Sequence, residues 1–214
     1  MDIIDITARY HALFNLIGDA DLREMVSRAT PAYFWQCPGA MKHHHAFRHG
    51  LLLHTVEVTE VALSMTLNHV SEQEWVLDLI LVAGLLHDVA KCKEYAICRT
   101  HHDNGDWTDK IEYGSFQIGH VLESVMWMYR ASAGLDIKDS LLATLAEIML
   151  AHHGYAEWGT PANQDITRLN KSGEPKASYL QCILHSADMV SAEATEHKYP
   201  KRVADIMGCP ERGY

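Results

Sequence analysis

The chain has 214 residues, 48% of them hydrophobic, and a formal net charge of −10. That length suits one domain, or one domain with short extensions, and is enough for a sizeable core. The acidic balance argues against a general grip on nucleic acid, which needs a basic surface to neutralise phosphates, although a local basic groove stays compatible with it.

The N-terminus MDIIDITARY has neither the basic start nor the apolar segment of a signal peptide. Apolar spacing predicts helices over 6–17 and 20–29, closed by Thr30-Pro31. A loop at Cys37-Pro38-Gly39 leads into His43-His44-His45, three of 15 histidines and too far from either end to be a tag. A helix is expected over 50–70, with Val58, Val61 and Met65 on the face of His54. Ser71 with Glu74 makes a capping box for the next helix, which carries an apolar run over 79–86 and then His87-Asp88. Tyr95, Ile97, Trp107, Ile111 and Tyr113 flank Asn104-Gly105, a turn signal that predicts two short strands within 95–113. Helices resume over 115–131, 139–153 and 176–195, and a loosely held tail over 196–214 is expected. The chain therefore reads as all-α with a short hairpin excursion.

No repeat or low-complexity linker divides it. Asp78, His87 and Asp88 bracket the longest apolar candidate, so no run reaches the ~20 residues of a membrane helix. The five cysteines, Cys37, Cys92, Cys98, Cys182 and Cys209, form no CxxC pair, as expected in a reducing compartment. A cytoplasmic protein is expected, and a homodimer is compatible with the sequence.

His87-Asp88 beside an apolar helical run is costly to bury unless something compensates, and a divalent metal does so naturally. Lys91 follows Asp88 by three residues, so it either pairs with Asp88 or holds a phosphate oxygen. His54, taken alone, reads as a core histidine bonded to a carbonyl or as a ligand. Asp188 lies behind Leu180, Leu184 and Ala187 with no Lys or Arg within a turn, so it needs a partner from elsewhere. His152 continues the stripe of Leu145, Ile148 and Met149, whereas His153 is rotated from it, which leaves open which of the two reaches an ion. His120 follows Gly119. These positions supply ligands for one or two ions: His54, His87, Asp88 and Asp188 for the first, and Asp88 as a bridge with His120 and His152 or His153 for the second. Mixed imidazole and carboxylate ligands suit Mn, Fe, Co, Zn or Mg, with Mn or Fe favoured. Such a pair activates water and clamps the oxygens of a displacement. Asp88, Lys91 and His153 are the expected catalytic residues. Arg48, Lys91 and Trp158 are candidate substrate contacts; for Arg48 and Trp158 the alternatives are a solvated arginine and an aromatic packed under a loop.

The pattern His54, His87-Asp88 and Asp188 resembles the HD superfamily of metal-dependent phosphohydrolases. HHAFRHGLLLHT, LVAGLLHDVAK, GSFQIGHV, AHHGYAEWGTP and LHSADMVSAE are similar to successive blocks of the HD domain of YhaM-type 3′–5′ exoribonucleases. The resemblance implies an HD helical bundle over 38–195, with 1–37 as an N-terminal helical extension packed on it. It also implies hydrolysis of a phosphoester in a phosphorylated small molecule, such as a nucleotide, or at the 3′ end of a short nucleic acid. Three departures stand out. The residues ahead of the bundle are too few for the oligonucleotide-binding barrel of those nucleases, His49-Gly50 replaces a Gly-Gly, and a polar stretch over 162–175 lacks the acidic residue expected before the last block. The first turns expectation away from polymeric RNA, and the others concern the pocket rim. A di-iron oxygenase of the same fold and a non-catalytic HD module of a mobile-element protein are the alternatives.

Overall fold

The computed structural model describes residues 2–42, 44–70, 72–101, 107–114 and 118–195. Ile3–Leu16 (α1) opens on Asp2, whose carboxylate accepts the Ile4 amide at 3.1 Å. Ala20–Ala29 (α2) opens on Asp19, which accepts the Asp21 and Leu22 amides. In both cases an acidic cap satisfies amides that a helix start leaves without partners. Gly50–His69 (α3) follows a loop in which His45 and His49 take positive φ of 57° and 69°. A Cβ at Gly50 would fall 1.9 Å from the His45 carbonyl oxygen, so only glycine fits. His49 donates its ring Nδ1 proton to the Trp35 carbonyl. The His49-Gly50 pair thus seats α3 against the preceding segment and is not part of the pocket rim, contrary to the sequence expectation.

Glu74–Leu86 (α4) is the central helix. Its start is flanked by Gln73 without a side-chain cap bond, and Ser71 of the expected capping box lies outside the described residues. Every residue over 79–86 is buried, as a helix apolar on all sides requires. Each large side chain there contributes roughly 1.5–3 kcal/mol. α4 packs against α1, α2 and α3 and against His120–Ala131 (α6), Asp139–Leu150 (α7) and Tyr179–Thr195 (α8). Its Asp78 carboxylate accepts the Gly18 and Asp19 amides at 2.7 and 3.0 Å, pinning the α1–α2 turn. Ile6, Tyr10, Leu22 and Met25 of α1 and α2 belong to the same apolar cluster as Leu52, Leu81 and Leu145.

After Leu86 the chain tightens into a turn, with the Val89 amide on the Leu86 carbonyl and the Lys91 amide on that of Asp88. Lys91–Glu94 (α5) follows, and then Tyr95–His101 (β1) and Trp107–Tyr113 (β2) pair antiparallel from Tyr95↔Tyr113 to His101↔Trp107. The two strands lie where the Asn104-Gly105 turn signal and its flanking residues predicted them; the Asn104-Gly105 tip itself lies outside the described residues, as does 196–214. α3 corrects one expectation, because its length and hydropathy would suffice to cross a bilayer. Two thirds of that window, 67%, is buried inside the protein, which is what the core helix of a bundle requires. The four described cysteines, Cys37, Cys92, Cys98 and Cys182, are free thiols.

Candidate metal centre

Seven side chains chosen from the sequence converge where α4 ends: one group is His54, His87, Asp88 and Asp188, the other His120, His152 and His153, with ligand atoms in each group within 4.8 Å of one another. His54 comes from the buried first half of α3. Gly84 lets α4 approach it, since a Cβ there would sit 2.7 Å from Thr59 Oγ1. His87 and Asp88 occupy the turn after α4, where no shared helical seam is needed for both to face inward. His120 is the first residue of α6, and Asp188 lies on α8. His152 and His153 sit in the turn beyond α7, which stops at Leu150 instead of running to His153. That turn closes on Gly154, at φ 80° and packed on the His185 ring, while His185 Nδ1 bonds the His152 carbonyl at 2.9 Å.

The hydrogen bonds fix which ring nitrogen carries the proton. His87, His152 and His153 direct Nδ1 to the carbonyls of Gly84, Met149 and Trp158 at 2.8, 2.6 and 2.8 Å. A carbonyl only accepts, so Nδ1 is protonated in all three. His54 Nδ1 lies 3.0 Å from Ser191 Oγ, and His120 Nδ1 is bonded to the Glu94 carboxylate. All five Nε2 atoms therefore turn inward. Those of His54 and His87 face each other at 3.3 Å, as do those of His120 and His153. Asp88 divides between the groups: Oδ2 is 3.2 Å from His54 and 3.4 Å from His87, while Oδ1 is 3.4 Å from both His120 and His152. Neither Asp88 oxygen nor His152 Nε2 has a hydrogen bond of good geometry. Buried lone pairs facing one another repel unless a cation lies between them, so the donor set suits a divalent transition metal.

The charges agree. Burial works against ionising Asp88, but Lys91 and the histidines beside it hold its carboxyl well below the usual range. Asp188 is likewise depressed, by His54 against the cost of burial. Burial alone would lower His54, yet Asp188 and Asp88 raise it to about 9. Burial, with His152 and His120 nearby, pushes His153 down to about 3. Lys91 forms the ordinary ion pair with Asp88 Oδ2 at 2.5 Å and also lines the pocket.

Above the cluster lies a cavity of about 430 Å³, lined among others by Lys91, Tyr95, His120, His153, Trp158 and Asp188. Trp158 is half-exposed at its rim. Arg48 is not among the lining residues; its guanidinium bonds the Gln36 side chain at 3.1 Å. The sequence reading passed over Glu94, His185 and Ser191, which bond the candidate ligands His120, His152 and His54 from behind, and Glu57 and His45, which support Ser191 in turn. Three of them had a signal: Glu57 follows His54 by three residues, Ser191 follows Asp188 by three, and His45 belongs to the histidine triplet.

Known proteins agree with the geometry. The chain is 30% identical over 130 residues to 3′-5′ exoribonuclease YhaM of Bacillus subtilis (strain 168), a match that covers 61% of this chain and 38% of that protein. To the protein of the same name from Listeria welshimeri it is 29% identical over 130 residues, covering 60% and 37%. The match to that of Geobacillus sp. (strain WCH70) is 30% over 128 residues, covering 60% and 36%. The chain thus spans less than two fifths of the length of these curated relatives. No solved structure matches it. The HD domain model matches residues 51–193, a span that runs from just before His54 to just past Asp188 and takes in more than half of the sequence, so the chain belongs to the HD domain family.

Proposed function

We propose that this protein is a metal-dependent phosphohydrolase that cleaves a phosphoester in a nucleotide or at the 3′ end of a short nucleic acid. The observation that carries the reading is the Asp88 carboxylate, with one oxygen toward His54 and His87 and the other toward His120 and His152, at the base of a pocket that Lys91 also lines. Ions in the two groups would supply an activated water and draw charge from the phosphoryl oxygens. His54, His87, Asp88 and Asp188 would hold one, and His120, His152 and His153 the other, with Asp88 between. Both His152 and His153 direct Nε2 inward, which supports a ligand role for each. The Lys91 ammonium, already charged and oriented by Asp88, would turn toward a substrate phosphate oxygen.

The cavity of about 430 Å³ matches one nucleotide unit better than a length of strand. The net charge of −10 speaks the same way, because a long polyanion would find little basic surface. The relatives are named exoribonucleases, which supports a terminal phosphodiester as one substrate. With added Mn²⁺, the full chain is expected to hydrolyse a nucleotide phosphoester or a short oligonucleotide. The double substitution His87→Ala, Asp88→Ala is expected to abolish it; wild-type rates in that variant would refute the reading.

The three clustered imidazoles of His120, His152 and His153 also favour one second reading, an iron-dependent oxygenase. Iron bound in preference to Mn²⁺, with oxygen uptake and no phosphate release, would select it.

A further inference from the structure

Behind the first ligand group lies a buried chain of polar side chains, His45, Glu57 and Ser191, that is absent from the lining of the cavity above the cluster. His54 and Glu57 are three residues apart on α3, and Asp188 and Ser191 are three apart on α8, so each helix turns one pair toward the other. The pairs cross. His54 Nε2 lies 3.1 Å from Asp188, and His54 Nδ1 lies 3.0 Å from Ser191 Oγ. Ser191 Oγ donates its own proton to Glu57 Oε2 at 2.8 Å, so it has only a lone pair to offer the histidine. His45 Nε2 donates to the same Glu57 oxygen at 2.9 Å. Glu57, Ser191 and His45 are all fully buried.

We propose that Glu57 and Ser191 are positioning residues for His54, with His45 as the anchor of Glu57: the carboxylate orients the hydroxyl, the hydroxyl accepts the Nδ1–H hydrogen bond, and Nε2, directed between Asp88 and Asp188, is the nitrogen whose lone pair an ion would take. The inference rests on the metal reading above for what Nε2 then binds, but the proton order itself is a property of the chain. Without Ser191 the His54 ring can carry its proton on Nε2, where it closes the site. A burying role alone would depend on the volume of residue 191; the relay depends on its hydroxyl. Residues behind a ligand typically contribute about 10- to 100-fold in metal affinity.

The test is Mn²⁺ titration of the chelator-stripped full chain, wild type against Ser191→Ala, Ser191→Thr and Glu57→Gln. Ser191→Ala is expected to weaken one binding step about 10- to 100-fold and leave the other in place, with Ser191→Thr restoring it. Glu57→Gln should weaken the same step. Affinity unchanged in Ser191→Ala, or Ser191→Thr as weak as Ser191→Ala, overturns the proposal. Should wild type bind no Mn²⁺, the metal reading fails by itself, and the relay is then judged on the metal-free protein at alkaline pH, with His54 carrying a single ring proton. There the ¹⁵N shifts of His54 are expected to give a protonated Nδ1 and a bare Nε2 in wild type and a mixture in Ser191→Ala. A mixture in wild type also overturns it.

Discussion

Around His54 the walls are helices: α3, the end of α4 and α8 bury His54 and His87 completely, and a buried serine and carboxylate hold the His54 ring. Around His120, the first residue of α6, the walls are mostly turns and the pocket itself: His120 and His153 are part-exposed and line the cavity, and the Trp158 carbonyl, at the end of a 3₁₀ turn over Ala156–Trp158, orients His153. The two groups share only Asp88. A ligand group made from packed helices has its geometry before an ion arrives, because moving any ligand means moving the core. One made from loops adjusts to what occupies the pocket. The proton follows the same division, His54 being raised to about 9 by two carboxylates that outweigh burial and His153 lowered to about 3 by burial and by neighbouring imidazoles.

The largest expected effect separates the two groups. His54→Ala should remove the tight step of Mn²⁺ binding and abolish hydrolysis. His153→Ala should weaken only the other step and leave partial activity at high Mn²⁺, with each loss exceeding the roughly 10- to 100-fold typical of residues behind ligands. Calorimetric titration distinguishes them, and identical losses from the two variants would mean the groups act as one site.

Acidity gives a smaller contrast. An ion at His54 must displace a proton held up to about pH 9, so affinity for that step should fall about tenfold per unit as pH drops below that value. His153 is neutral across this range and adds no such cost. The sign reverses for the metal-free fold: protonated His54 contributes stability that is complete below its ordinary 6.5 and is lost as pH rises through about 9. Thermal unfolding with and without Mn²⁺ across that window should therefore diverge, the metal protecting most on the alkaline side.

Local chemistry made much of this legible before any coordinates. The apolar spacing of 20–29 closed by Thr30-Pro31, and Asn104-Gly105 flanked by Tyr95, Ile97, Ile111 and Tyr113, are short-range signals, and α2 and the β1–β2 pair lie where they were expected. Periodicity overran at α7 and at His87-Asp88, because apolar spacing continues through a turn whose residues stay buried while the backbone leaves the helix. The ligand types were readable from the cost of burying them, but the Ser191–Glu57 contact spans 134 residues, and no spacing rule reaches across the α3–α8 interface. Arg48 misled for the opposite reason: it is near His49 in sequence, and the positive φ at His49 belongs to the loop that seats α3, away from the pocket lining.

The smallest predicted effect tests whether the loop-built side senses substrate. Trp158 serves the site twice, its carbonyl accepting from His153 and its half-exposed indole forming part of the pocket rim. Trp158→Ala keeps the carbonyl and removes only the ring, so Mn²⁺ affinity should hold. An aromatic ring stacked on a base is worth about 1–3 kcal/mol, and an indole already half in water should give the lower end. KM for a nucleotide should accordingly rise about 5- to 10-fold with kcat nearly unchanged, whereas KM for a simple phosphodiester without a base should not move. A rise that is equal for both substrates would assign Trp158 to packing against Tyr155, whose ring centroid lies 4.7 Å away, and would leave the pocket rim without a base-reading surface.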